Sequence, residues 1–378
     1  MPEQNSIKYK IALSFIKGMT PVSAVEILSC EAGLESFFEL ETQALVNLFG
    51  KMLPQFRQEI RSSALERAEK ELEWLDSHPS VQVLFIGDED YPERLAQCED
   101  APIVLYVAGN SGILNSNRIV SMVGTRHSTV YGESFISRFV TDLKEVDPDI
   151  MITSGLAYGI DIASHKAALK NGMPTAAVVA HGLSTIYPSA HRAYAAEIIS
   201  QGGAIITEYP HDASIHRSNF LARNRIIAGV ADCTVVVESD IKGGALATAT
   251  NGFDYGRDIF AVPGRVNDRY SSGCNRLISQ QKAAILTSAA DLIDAMKWGT
   301  AKKTEEGRQR SLDLFLPPER QRVVDYVIKT EALEKNLLLN KMAVDLGMTL
   351  SSLNDLLSEM EFDNQIVRTP GGKLKVIL

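Results

Sequence analysis

A doubly wound, mostly parallel α/β sheet is the fold class this 378-residue sequence predicts, and three observations predict it. Short apolar runs recur at Ile119–Val123, Ile150–Thr153, Thr175–Ala180, Ala204–Thr207, Thr234–Val237 and Ile259–Val262, continuous rather than alternating, as strands buried on both faces are. Helical segments separate most of them, which makes the sheet parallel and covers it on both sides. Glycine turns then lead from strands into helices: Val123-Gly-Thr-Arg126, Ser154-Gly-Leu-Ala-Tyr-Gly-Ile-Asp161 and Gly243-Gly-Ala-Leu-Ala-Thr-Ala249. In a Rossmann-like sheet ligands sit outside the carboxyl ends of the strands, where these turns fall.

The flanks read differently. Residues 8–75 carry helical spacing with glycine breaks and end in an acidic helix from about Gln55 to Leu75, so a small helical domain, residues 1–78, precedes the sheet. Gly18 and Gly50 stand where helix-hairpin-helix turns would grip a phosphate backbone, but the acidic composition favours helix ends that simply pack. Val81–Ile86 and Ile103–Val107 are β-rich runs that lead into the main sheet, which occupies residues 79–298. A polar, charged stretch at 299–316 reads as a linker. Beyond it, in 317–378, the helical segments Pro318–Ile328, Leu337–Leu346 and Ser351–Glu361 precede a hairpin around Pro370-Gly-Gly372, the order of a winged helix. That fold serves duplex DNA and protein contacts alike.

The formal charge of −9 argues at first against a polyanionic ligand, but it is unevenly spread. Residues 1–110 hold 9 Lys and Arg against 18 Asp and Glu, whereas residues 111–290 hold 16 against 15, so a local basic groove is allowed there. The cysteines Cys30, Cys98, Cys233 and Cys274 form no C-x-x-C pair and fit reduced core thiols in a cytoplasmic protein. His211 and His216, five apart, do not make a metal site, and no metal or cofactor is expected. No apolar run reaches the roughly 18 residues of a membrane span.

Glycine turns at helix starts present N–H groups and a positive dipole end to phosphate. In the first, Thr125 adds a hydroxyl and Arg126 a forked cation. The G-x-G-x-x-G fingerprint with its ribose-binding acid is absent, which lowers the dinucleotide reading. Between the second and third turns, Arg217, Phe220, Arg223, Asn224 and Arg225 open a helix with an aromatic plate and donors at spacings of three and four, a device for stacking bases while arginines follow the backbone. Ser154, Gly155, Tyr158, Gly243, Gly244 and Thr248 complete the candidate set. Asp161 and His165 share a helix face, and the reading favoured is a helix-start carboxylate bonded to its histidine rather than a catalytic pair. No nucleophile elbow accompanies them.

Together with His165, Ile186-Tyr-Pro188, Ser218 to Gly229, Phe260-Ala-Val-Pro-Gly264 and Gly273-Cys-Asn275, these motifs resemble, in order and spacing over about residues 81–290, the DNA-processing protein A family, DprA or Smf. The resemblance implies a non-enzymatic protein that binds single-stranded DNA, dimerises, protects incoming DNA in natural transformation and loads RecA recombinase onto strands carrying single-strand-binding protein. It implies a sterile-alpha-motif-like domain before the sheet. It nominates Gly124, Thr125, Arg126, Arg217, Phe220, Arg223, Asn224 and Arg225 as the pocket. Tyr158 stands where many members carry arginine and Gly243 where serine is common, so one cation and one hydroxyl are replaced, with Tyr158 free to stack on a base. Two rivals are a nucleotide phosphoribohydrolase on a related sheet, whose P-G-G-x-G-T-x-x-E glutamate is absent here, and a duplex-specific regulator acting through the winged helix.

Overall fold

The computed structural model describes residues 2–29, 33–49, 53–298, 317–332, 339–362, 366–369 and 373–376. The chain forms two compact units, Met1–Lys297 and Trp298–Leu378. The expected linker at 299–316, Cys30, Gly50 and the hairpin tip at 370–372 lie outside the described residues.

The first unit is built on a nine-stranded sheet. Its strands are β1 (Val81–Phe85), β2 (Val104–Gly109), β3 (Ile119–Val123), β4 (Met151–Ser154), β5 (Thr175–Val178), β6 (Ala204–Thr207), β7 (Cys233–Val236), β8 (Asp258–Ala261) and β9 (Ala284–Ile285). The spatial order is β1-β2-β6-β5-β4-β3-β7-β8-β9, and β3 to β9 pair parallel. This is the doubly wound sheet the apolar runs predict. The β-rich runs at 81–86 and 103–107 do more than lead into it: β1 and β2 pair antiparallel, and β2 adds antiparallel to β6, Tyr106 opposite Thr207.

The chain leaves β3 through β4, β5 and β6 on one side and resumes with β7 on the other. Right-handed crossovers running in opposite directions place their helices on opposite faces. Helices Val130–Val146, Ile160–Asn171 and Arg192–Ser200 pack in sequence against one another, while Arg217–Gly229 packs against Ala245–Asp254. Every residue of β3, β4, β5, β6 and β7 is buried, as a doubly covered sheet requires. Cys98, Cys233 and Cys274 are free and buried, and burial pushes their thiols up.

Before the sheet come the helices Pro2–Phe15, Pro21–Leu28, Gly33–Glu39, Thr42–Phe49 and Gln58–Asp76. Ile11, Leu13, Phe37 and Leu45 share one continuous buried core with Leu105 and Val107 of β2. Arg61 is the polar pin of this layer. Its fork donates to the carbonyls of Phe56 at 3.0 Å, Phe37 at 2.6 Å and Leu40 at 2.8 Å, satisfying orphan acceptors at the end of helix Gly33–Glu39. Gly18 turns the chain at φ +81°, and its carbonyl accepts from Gln55 at 2.9 Å. Buried Glu71 ties this layer to the loop after β6, accepting from the His211 amide at 2.9 Å and contacting its Nδ1 at 2.7 Å.

The second unit has helices Pro318–Ala332, Leu339–Leu346 and Leu350–Phe362, followed by the antiparallel pair β10 (Ile366–Thr369) and β11 (Lys373–Val376). Val323, Val327, Met342, Leu353, Leu357 and Ile366 form its core.

Candidate nucleic-acid interface

Strand order reverses between β3 and β7, and the helices that follow them diverge to opposite faces. A crevice of about 740 Å³ opens there, lined by Gly124, Thr125, Arg126, Arg217, Phe220, Arg223, Asn224, Gly243, Gly244 and Thr248. Residues separated by more than a hundred positions thus meet at the switch point, where open α/β sheets bind ligands.

The first turn is held rigidly. A Cβ on Gly124 would come within 2.4 Å of Ile160 Cγ1 and 2.9 Å of the Glu238 carbonyl, so only glycine lets the chain pass. Thr125 donates its amide to that same carbonyl at 2.7 Å, and its own carbonyl accepts from Ile160 N at 3.1 Å. The buried Glu238 carboxylate takes the Thr129 amide at 2.9 Å and its hydroxyl, fixing the start of helix Val130–Val146. Arg126 emerges from this scaffold exposed, its guanidinium 5.1 Å from the centroid of the Phe220 ring. The Tyr187 ring meets Phe220 edge-on at 5.8 Å, making an aromatic and cationic cluster in the wall in which Phe220 is half-buried and Tyr187 exposed. Arg217, the first residue of its helix, and Lys242 are exposed along the rim.

The third turn is drawn toward the same wall, since Asn224 Nδ2 donates to the Gly244 carbonyl at 3.3 Å. A Cβ on Gly243 would sit 2.2 Å from Ser239 Oγ, which accounts for glycine here. The Asp240 carboxylate beside it is bonded by Arg269 Nε at 2.6 Å, and this bond holds its carboxyl below the usual range. Thr248 is 2% exposed, so it supplies crevice floor rather than a free hydroxyl.

The second turn gives Ala157 and Asp161 to the crevice lining but offers no phosphate site. Its helix-start amides are spent on the protein: Ile160 on Thr125 O at 3.1 Å, Ile162 on Ala157 O at 3.1 Å, Ala163 on Gly159 O at 3.1 Å. Ser154 is buried with its hydroxyl on the Met122 carbonyl at 2.6 Å, and Gly155 is buried against Asp161 and Arg223. Tyr158 is exposed, but on the ridge beside the crevice, its ring edge-on to His191 at 4.8 Å.

Two of the expected DNA cations are engaged inward. Arg223 is 3% exposed, with Nη1 donating to the carbonyls of Gly155, at 2.7 Å, and Val178. Burial lowers its pKa to about 10, and the Asp161 charge opposes that shift. Burial likewise raises the Asp161 carboxyl, offset by Arg223. Arg225 points away from the crevice into a two-pronged pair with Glu208, at 2.9 and 2.6 Å, with Asp100 at 3.6 Å. The favoured Asp161 and His165 bond is corrected as well. Asp161 accepts from Ala157 N at 3.4 Å, whereas His165 Nδ1 contacts Thr175 Oγ1 of β5 at 2.8 Å, so the shared helix face carries no mutual bond. Burial lowers His165 to about 3, leaving it neutral.

Tyr187, Leu221, Ser239 and Lys242 also line the crevice and were not named as site residues. Of these, only Tyr187 carried a signal, within Ile186-Tyr-Pro188.

Fold and crevice together define a Rossmann-like protein of the doubly wound class, with its binding crevice at the reversal of strand order. The chain belongs to the DNA recombination-mediator protein A family, which matches residues 82–297. Protein Smf of Escherichia coli (strain K12) is 32% identical to it, over 82% of this chain and 80% of that protein. DNA processing protein DprA of Streptococcus pneumoniae (strain ATCC BAA-255 / R6) is 36% identical, over 57% and 73%. The X-ray structure of DprA from Streptococcus pneumoniae superimposes with a TM-score of 0.62 at 30% identity, covering 76% of this chain and 97% of that one. DNA processing protein A from Helicobacter pylori, described for its unique single-stranded DNA binding mode, does so with a TM-score of 0.51 at 26% identity, covering 57% and 95%. The role is that of a DNA recombination mediator. Among the described residues no helix is long and apolar enough to cross a membrane.

Proposed function

We propose that the switch-point crevice binds single-stranded DNA without sequence preference and that the protein acts by binding, not by catalysis. The observation that carries this is the Arg126, Phe220 and Tyr187 cluster with Arg217 on its rim: a stacking surface beside exposed cations in one crevice. The single-stranded DNA binding described for the Helicobacter pylori relative supports the same ligand. His165 is buried and neutral and bonds away from Asp161, which favours a structural role for both over acid-base chemistry. By family, the bound strand is handed to RecA recombinase, on DNA also coated by single-strand-binding protein, by a homodimer in the cytoplasm. Residues 317–378 are read as a winged helix.

The test is fluorescence anisotropy with a single-stranded oligonucleotide and its duplex at matched salt. The single strand binds more tightly, and the Arg126→Ala, Arg217→Ala double variant loses affinity with a salt slope smaller by roughly 1.4, about 0.7 for each phosphate contact. Equal or stronger duplex binding, or an unchanged double variant, rejects the reading. Acceleration of RecA strand exchange on precoated DNA tests the loading step separately.

A further inference from the structure

The turn Ala157-Tyr158-Gly159 separates two depressions. Ala157 lines the switch-point crevice. Gly159 lines a second cleft of about 280 Å³ between helices Val130–Val146 and Ile160–Asn171, with Ser128, Ser137, Lys166 and Lys170 in its walls. The ridge between them is narrow: Gly159 lies so close to the first turn that a Cβ on it would come within 2.2 Å of the Thr125 carbonyl and 2.8 Å of Arg126 Cα. Tyr158 stands on the ridge 49% exposed and is braced by His191 rather than packed away.

The second cleft has the character of a strand path. Lys166 and Lys170 are exposed one helical turn apart, and among the described residues neither is in an ion pair. Lys166 Nζ lies 4.7 Å from the Tyr194 ring centroid, which holds its stem against the surface. Glu133, the acidic group in the wall, accepts from Ser128 Oγ at 2.6 Å, and the two lysines outweigh it.

We propose that single-stranded DNA held in the crevice continues over Tyr158 into this cleft, where Lys166 and Lys170 take its next phosphates and Tyr158 stacks a base. The proposal rests on the crevice reading and extends its site by the length of one turn.

The test uses the full chain and oligothymidines of about 6 and about 16 nucleotides, lengths within the range of single-strand site sizes. The Lys166→Ala, Lys170→Ala double variant weakens binding of the longer strand about tenfold at low salt and lowers its salt slope by roughly 1.4, while the short strand binds as before. Tyr158→Ala weakens the longer strand at least about fivefold, with Tyr158→Phe restoring it, because a phenyl ring stacks as well. Unchanged binding of the longer strand by both alanine variants overturns the path, and so does equal weakening of both lengths. Failure of the unaltered protein to bind either strand would instead reject the crevice itself.

Discussion

The turns after β3 and β4 start from the same device, an apolar strand running through glycine toward a helix, yet one presents Arg126 to solvent and the other folds its polar groups inward. Their neighbours decide the difference. β3 lies at the reversal of strand order, so the helices beside it part and leave a crevice. β4 lies between β3 and β5, and Arg223 reaches into its turn from helix Arg217–Gly229 to bond Gly155 and Val178. A glycine turn is thus a phosphate site only where the topology leaves its amides and cations unspent. The open turn should answer to salt and the closed one to pH and unfolding, and three experiments press on that division.

The largest effect concerns acid. Between about 3, where burial holds folded His165, and 6.5, its ordinary value, the unfolded chain binds a proton that the folded chain refuses. This contribution to stability is complete above pH 6.5 and is lost as the pH falls toward 3. At about 1.4 kcal/mol per unit it amounts to roughly 4–5 kcal/mol at most. Asp161 works in the opposite sense, because burial raises its carboxyl and its ionisation costs stability as pH rises. Urea unfolding of His165→Gln across this range should show a flatter acid limb than the parent; an equally steep limb places the acid sensitivity elsewhere.

Next, Arg223→Ala should cost about 3–5 kcal/mol of stability, since it strands the buried Asp161 charge and two carbonyls, while Arg126→Ala should stay within about 0.5 kcal/mol. Equal urea midpoints for the two variants would erase the distinction between an inward and an outward arginine. The smallest effect is on binding alone. Phe220→Ala should reduce single-strand affinity by about 1–3 kcal/mol, one stacked base, with little change in unfolding midpoint. A titration showing full affinity would remove Phe220 from the stacking role.

Much of the sheet was legible. Ile119–Val123 and Ala204–Thr207 are strands with the bounds their apolar runs mark, because a doubly buried strand leaves a continuous hydrophobic signature. β9 was not: Ala283–Leu286 is an apolar run as well, but its two paired residues, Ala284 and Ile285, lie exposed at the sheet edge, where burial does not mark them as a strand. The Arg223-Asn-Arg225 block reads as one basic stretch, and the fold divides it for a geometric reason: Arg223 and Asn224 line the crevice and Arg225 does not. Residues two apart on a helix point to well-separated faces, so Arg223 turns to the carbonyls at the ends of β4 and β5 while Arg225 turns to Glu208. Tyr187 reaches Phe220 only because the connection after β5 brings it there.

The sequence by itself determined the fold class, the family and the stretches that supply the crevice, because hydrophobic period, glycine position and motif order are local and survive without coordinates. Tertiary structure alone decided which polar side chains are spent. An arginine reads the same in sequence whether its fork meets water, a carboxylate or buried carbonyls, and only the packing of distant strands and helices sets which of these it finds.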